Sequence, residues 1–298
     1  MELKQKKFPK VSIVIAAFNA EKTIERVLDS MLELDYPEDF EIIVVNDGSS
    51  DRTREIIRKF SKNAKIKFID FEKNQGVCKA RNGGIKIARF PIVVNMDHDC
   101  IPEKNWLKKI VAGFDSDKVG VVSSFGYYGG TSTAFRKELL EKAGGGYDEE
   151  FGYYREDTDL SFKIMDLGFE FRKVEAKYEH DHKMAKPKGL IGLAKHVLQR
   201  LKYHENDVLL YKKHPILAGK FLNVKLGFIV NPLADFRAAT GTWHKDEKFA
   251  LSSPRGITFI ENKTPLHAIA IILIGIMYVF AVKTFRLIGS IRFGKLLL

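Results

Sequence analysis

The sequence predicts an α/β fold: a mostly parallel sheet flanked by helices, followed by a helical, basic extension. Three observations predict it. Short apolar runs alternate with amphipathic stretches through the front half, the pattern of a parallel sheet with helical crossovers. Polar and acidic residues of that half fall just after the apolar runs, where open parallel sheets bind ligands. Charge divides sharply along the chain. Residues 1–182 carry 30 Lys/Arg against 32 Asp/Glu, and residues 183–298 carry 19 against 6. The chain therefore reads as two parts, a sheet domain over 1–183 and a basic helical extension over 184–298.

The elements follow in order. Val11–Phe18 (VSIVIAAF) is a continuous apolar run, as expected of a strand buried on both faces. Ile24, Val27, Leu28 and Met31 then fall at helical spacing, and Pro37 closes that unit. Glu41–Val45 is a second buried strand that runs into Asn46-Asp47-Gly48-Ser49-Ser50-Asp51, a turn rich in helix-capping residues. A helix from Arg52 to Phe60, a strand over Lys65–Phe71, a helix over Gly76–Ala88 and a strand over Pro91–Met96 complete the alternation. Val119–Phe125 reads as a further strand and Gly126–Thr133 as a small-residue loop. A helix is expected over Ala134–Lys142, then the Gly144-Gly145-Gly146 break and the charged segment Arg155-Glu156-Asp157-Thr158-Asp159. Phe169–His180 reads as another extended stretch.

Composition limits the function classes. With 298 residues, 45% hydrophobic and 29% charged, the chain can bury a core without covalent staples. Its two cysteines, Cys78 and Cys100, have no CxxC spacing and read as small core residues or reduced thiols. The charged N-terminal residues carry no signal-peptide pattern, so the catalytic part is expected in the cytosol.

Chemistry-bearing residues sit at the expected strand ends. Asp97-His98-Asp99 follows a buried strand directly, and its two carboxylates can converge on one divalent cation and a ribose hydroxyl. Ala17 and Asn19 end the first strand. Asp47 ends the second, where a carboxylate can accept hydrogen bonds from a nucleobase or ribose. Arg81, between the two acidic sites, would place positive charge near a diphosphate or brace an aspartate. His180 and His182 end an extended segment and are candidates to ligate metal or contact phosphate, with His180 preferred. Histidine suits Mn²⁺ better than Mg²⁺. Asp159 reads as an acid stabilised by a helix N-terminus.

These blocks, VSIVIAAFN, EIIVVNDGSSDRT, NQGVCKARNGGI, VVNMDHDCIPEKNWL and GGTSTAFRKELLEKAGGGYDEEFGYYREDTDLSFKIMDLGF, follow one another in order over about residues 9–182. Their ordered spacing resembles the family 2 glycosyltransferases of GT-A (Rossmann-like) fold. The resemblance implies an inverting enzyme with a nucleotide-sugar donor (UDP-, GDP- or dTDP-linked) and an Mn²⁺ or Mg²⁺ ion. By the same resemblance Asn19 and Asp47 border the nucleoside, Asp97 and Asp99 form the DxD motif, and Asp157 is the general base, with Glu156 beside it. Cys100 departs from the polar residue often found after that motif.

The extension carries Leu266–Val282, a run of 17 residues with no formal charge beyond His267, flanked by Lys283, Arg286, Arg292 and Lys295. That is the low end of transmembrane length. No nucleic-acid-binding motif accompanies the basic charge. An anionic membrane surface explains the charge and the apolar run together. The expectation is membrane association through the C-terminal part, at the cytoplasmic face, with an acceptor that is lipid-linked, a polyprenyl phosphate or another glycan. Two other readings share parts of the pattern. A nucleotidyltransferase would need a Gly-rich, basic loop where Ala16-Ala17-Phe18-Asn19 stands, and a non-catalytic, membrane-tethered sugar-nucleotide binder would bind donor without turnover.

Overall fold

The structure, a computed structural model, describes residues 8–126, 128–181, 187, 189–230, 233, 235–237, 250–252 and 258–298. The chain divides into two compact units, residues 1–181 and 182–298. In the first, β1 (Val11–Ala17), β2 (Phe40–Asp47), β3 (Ile66–Phe71) and β4 (Ile92–Asp97) are joined through α1 (Ile24–Leu32), α2 (Thr53–Phe60) and α3 (Val77–Ile87). Next come β5 (Cys100–Pro102), α4 (Trp106–Ala112), β6 (Val119–Ser123), β7 (Thr133–Arg136), α5 (Lys137–Lys142), α6 (Glu156–Asp166), β8 (Glu170–Lys173) and β9 (Tyr178–His180).

Seven of these strands form one sheet in the order β3-β2-β1-β4-β7-β6-β8. All neighbouring pairs are parallel except those made by β7, which is antiparallel to both β4 and β6. The continuous apolar runs are explained by cores on both faces. Along β1, Val11, Ile13, Ile15 and Ala17 join one core and Val14 the other. The first core is covered by α1, α2 and α4 through Leu28, Met31, Ile57, Trp106 and Ile110. The second is covered by α3, α5 and α6 through Ala80, Ile85, Leu139, Leu160 and Ile164. The helix α3 lies so close to the sheet that a Cβ on Gly84 would stand 2.4 Å from Val14 Cγ1. That close approach carries Arg81, one turn earlier, in over the end of β4.

One expectation needs correction and a second is refined. The helix expected over Ala134–Lys142 begins as β7, and only Lys137–Lys142 is helical. Ala134 and Phe135 enter opposite cores, and four residues are too few for periodicity to separate strand from helix. The extended stretch Phe169–His180 is two strands: β8 closes the main sheet, while β9 leaves it to pair antiparallel with β5.

In the second unit, α7 (Gly189–Lys202), α8 (Glu205–Lys213) and α9 (Pro215–Phe221) precede the small hairpins β10 (Val224–Lys225)–β11 (Phe228–Ile229) and β12 (Ala250–Ser252)–β13 (Thr258–Glu261). The chain ends with α10 (Pro265–Phe293), 29 residues and about 43 Å long at 1.5 Å per residue. Thr264 caps its start by accepting from the His267 amide, and Gly294 ends it in a left-handed conformation. The helix outruns the 17-residue apolar stretch because Arg286 is satisfied within protein. Its guanidinium is buried and pairs with Asp235 at 2.7 and 2.8 Å and with Asp207 at 3.1 Å. Leu266, Leu273, Met277 and Phe280 are exposed on the same helix. In length and composition α10 is sufficient to cross a membrane.

Candidate functional site

The order β2-β1-β4 places the reversal of strand order between β1 and β4, since β1 leads towards β2 and β4 leads away. In such sheets the ligand crevice opens at the carboxyl ends of these strands. Ala17 is the buried last residue of β1, and Asp97, the last of β4, pairs in register with Ala16. Asn19 follows with φ 50° and is exposed; its side-chain oxygen accepts from the Ser50 amide at 2.9 Å. Asp47, buried at the end of β2, accepts from the amides of Gln75 (2.7 Å) and Gly76 (3.0 Å) and from Asn74 Nδ2 (3.0 Å). A carboxylate offers about four acceptor positions. With three of them filled, Asp47 ties down the loop before α3.

Arg81 lies beneath the crevice, not in it. Its side chain is only 6% exposed and reaches three carboxylates. Nη2 donates to Asp97 Oδ1 at 2.9 Å, and Nη1 donates to Asp157 Oδ1 at 3.0 Å and Glu156 Oε1 at 3.4 Å. The Tyr147 ring lies 5.0 Å from the guanidinium. Of its two expected roles, bracing an aspartate is the one the geometry presents. Asp157 and Glu156 open α6 after Tyr154 and Arg155, both with left-handed backbone (φ 72° and 76°), and Arg81 ties that helix start to the end of β4. Asp159, one turn on, is buried and pairs with Lys163 at 3.0 Å, a structural acid as its position suggested.

One guanidinium among three carboxylates leaves excess negative charge in a buried place. Burial, reinforced by the charge of Asp157, pushes the Glu156 carboxyl up to about 8 although Arg81 opposes the shift. Burial likewise raises Asp157, against the pull of Arg81. An acid whose folded-state pKa is raised holds a proton that the unfolded chain has lost, so stability falls as pH rises through that interval. The contribution of Glu156 is present below about 4.5 and lost by about 8. Thermal unfolding followed from pH 5 to pH 8.5 should show a falling Tm, with a shallower fall in Glu156→Gln. An identical slope in the two proteins would contradict this account.

A second cluster adjoins the first. Carboxylate oxygens of Asp97 and Asp99, the Cys100 sulfur and a His180 ring nitrogen all lie within 4.8 Å of one another. Pairing of β5 with β9 sets Cys100 opposite His180 and brings His180 Nε2 to 3.2 Å from Asp99 Oδ1. Burial works to lower the His180 pKa, but the hydrogen bond and charge of Asp99, with Asp97 behind it, raise it on balance. Burial pushes the Cys100 thiol far up, so it stays protonated, and it accepts a contact from Thr131 Oγ1 at 3.4 Å. Two carboxylates and an imidazole suit a hard or borderline divalent cation such as Mn²⁺, and a protonated thiol does not. The donor set therefore fits such an ion through Asp97, Asp99 and His180. His182 lies outside the described residues.

The profile of glycosyl transferase family 2 matches residues 12–176, more than half of the chain. This chain belongs to that family. Its first unit has the GT-A architecture. The family 2 chain is 40% identical over 114 residues to the poly-beta-1,6-N-acetyl-D-glucosamine synthase of Staphylococcus epidermidis, covering 38% of this chain and 27% of that protein. To the probable glycosyltransferase YdaM of Bacillus subtilis (strain 168) it is 32% identical over 211 residues, 56% of this chain and 49% of the relative. It thus spans between about a quarter and a half of the length of these relatives. Among solved structures, the mannosyltransferase PcManGT from Pyrobaculum calidifontis, held with GDP-Man and Mn²⁺, superposes with a TM-score of 0.61. At 20% identity, that match covers 95% of this chain and 88% of the other. TarS of S. aureus superposes with 0.50 at 22% identity over 78% of this chain and 48% of that one.

Sequence reasoning missed two residues that touch these clusters. Thr131, noted only as part of a small-residue loop, accepts the Asp97 amide at 3.0 Å. Tyr147 underlies Arg81. Neither carries a local signal: both reach the site through contacts distant in sequence.

Proposed function

We propose that this chain is a glycosyltransferase that moves a hexose from a nucleotide-diphosphate sugar to an acceptor at the cytoplasmic face of a membrane, with inversion. The observation that carries the reading is Arg81, which joins Asp97 at the end of β4 to Asp157 at the start of α6 through one buried guanidinium. A carboxylate fit for the donor side and one fit for the acceptor side are thereby fixed across one crevice. Ala17, Asn19 and Asp47 border the nucleoside. Asp97, Asp99 and His180 hold Mn²⁺ in preference to Mg²⁺, since imidazole is the softer ligand. When bound, the ion neutralises the charge that gathers on the departing nucleoside diphosphate. Asp157 takes the proton of an acceptor hydroxyl as it attacks the anomeric carbon from the face opposite the leaving group, which is inversion. Burial raises the Asp157 pKa, towards the range where a carboxylate is an effective base.

The catalytic part is assigned to 1–183 and membrane association to 184–298. Supporting the latter are the exposed apolar residues of α10 and the excess of 19 Lys/Arg over 6 Asp/Glu in that part. Juxtamembrane basic residues near anionic lipid contribute on the order of 1 kcal/mol each. A lipid-linked or polyprenyl phosphate acceptor follows from that location. GDP-Man, held by PcManGT, and a nucleotide-linked N-acetylglucosamine, suggested by the name of the Staphylococcus epidermidis synthase, are the first donors to try.

The test is nucleoside-diphosphate release from UDP-, GDP- and dTDP-sugars with Mn²⁺ or Mg²⁺ and a membrane lipid extract, beside Asp99→Ala. One donor should be consumed, faster with Mn²⁺, only with lipid, and at least about 100-fold more slowly in Asp99→Ala, the scale of losing one electrostatic stabiliser of the leaving group. Release that ignores metal and Asp99 would overturn the assignment.

A further inference from the structure

The chain between β6 and β7 has an uncommon backbone. Gly126, Tyr128, Gly129, Gly130 and Ser132 have φ of 101°, 61°, 151°, 99° and 57°. Left-handed conformations at non-glycine residues persist where surrounding contacts over-determine them, and they cluster at functional sites. Here the contacts can be named. Thr131 Oγ1 accepts the amide of Asp97, and Ser132 Oγ accepts from Trp106 Nε1 at 2.7 Å, which fixes one end of the loop to the donor side. The Tyr128 ring is wedged between Phe162 of α6 and Phe171 of β8, with centroids at 5.2 and 5.0 Å. Between these anchors, Gly129 lies directly against Asp157. A Cβ there would stand 2.6 Å from Asp157 Cβ, 2.7 Å from its carbonyl carbon and 2.8 Å from its carbonyl oxygen, where ordinary contacts are 3.4–4 Å.

We infer that this loop is a positioning element that sets Asp157 relative to Asp97, and that Gly129 is the residue on which its accuracy depends. The inference rests on Asp157 acting as the general base. The loop touches the backbone amide of Asp97 and lies against Asp157, so it ties the two residues to one segment. Arg81 supplies the charge and the loop supplies the distance. A side chain at 129 has to displace the base by the order of 1 Å to relieve the overlap, and misplacement on that scale costs about 100-fold in rate.

The experiment compares full-length wild type, Gly129→Ala and Gly168→Ala. Gly168 also has positive φ (92°), but a Cβ there meets nothing within 4 Å, so it reports backbone strain without the clash. Donors are GDP-Man and UDP-GlcNAc with Mn²⁺, the acceptor is an alkyl glycoside hydroxyl, and nucleotide affinity is read by titration with Mn²⁺–GDP and Mn²⁺–UDP. In Gly129→Ala, kcat should fall about 100-fold with donor KM and nucleotide affinity unchanged, while Gly168→Ala keeps wild-type kcat. If Gly129→Ala does not fold, Tyr128→Ala, which removes the wedge, should show the same split with about a 10-fold loss. Asp157→Asn is measured alongside. Full activity in Gly129→Ala beside an inactive Asp157→Asn overturns this inference alone. Full activity in Asp157→Asn overturns the base assignment, and the inference with it.

Discussion

Replacing Asp157 by asparagine should lower transfer to a sugar hydroxyl by about 10²- to 10⁴-fold, the usual contribution of a positioned general base. A phosphate acceptor has a second pKa of about 6 and is largely ionised at neutral pH, so it needs no base. Transfer to a polyprenyl phosphate by Asp157→Asn should therefore stay within a few-fold of wild type, provided the geometry is kept. Asparagine is isosteric and can still accept from Arg81 Nη1, which lies 3.0 Å from Asp157 Oδ1. The measurement is product formation from one donor with each acceptor in parallel. Equal losses with both would show that Asp157 organises the site and does not take a proton.

Replacing Arg81 by methionine should have the largest effect on stability. The side chain is 6% exposed, and the change leaves Asp97, Glu156 and Asp157 facing one another without their shared cation. Breaking a buried ion pair by removing one partner costs about 3–5 kcal/mol. The sign of the pH effect follows from Arg81 lowering both Glu156 and Asp157. Without it both carboxyls rise further, so the acidic limb of the pH–rate profile moves to higher pH and the protein is relatively more stable in acid. Thermal unfolding and the pH–rate profile of Arg81→Met and Arg81→Lys check this. Lysine restores the charge but not the fork that spans two carboxylates, so it should recover part of the stability and less of the rate. A wild-type pH profile in Arg81→Met would contradict the electrostatic role.

What the sequence made legible follows from how local each signal is. β1, β2 and β4 announce themselves because strands covered on both faces are apolar throughout, and Asp47, Asp97 and Asp99 announce themselves by following those runs. β7 was hidden inside an expected helix because its four residues leave no period to read. β5 was hidden, as was the separation of β9 from β8, because β5 and β9 are three residues long and pair across about 80 positions. The same distance conceals the site's wiring. Arg81 and Asp157 are 76 residues apart, and nothing in either segment states that one guanidinium would hold three carboxylates. The burial that raises Glu156, and the pressure of Gly129 on Asp157, are likewise products of packing. Cys100, which had made the donor site harder to read, is a buried thiol that accepts from Thr131 Oγ1 and points at Asp99 Oδ1 at 3.8 Å.

The central claim is a metal-dependent nucleotide site built on Asp97 and Asp99 at the junction of β1 and β4. Isothermal titration of wild type and Asp99→Ala with UDP, GDP and dTDP, each with and without Mn²⁺, tests it most directly. One nucleoside diphosphate should bind with micromolar affinity only when Mn²⁺ is present, and Asp99→Ala should lose this binding. Binding equally strong without metal, or unchanged in Asp99→Ala, would contradict it.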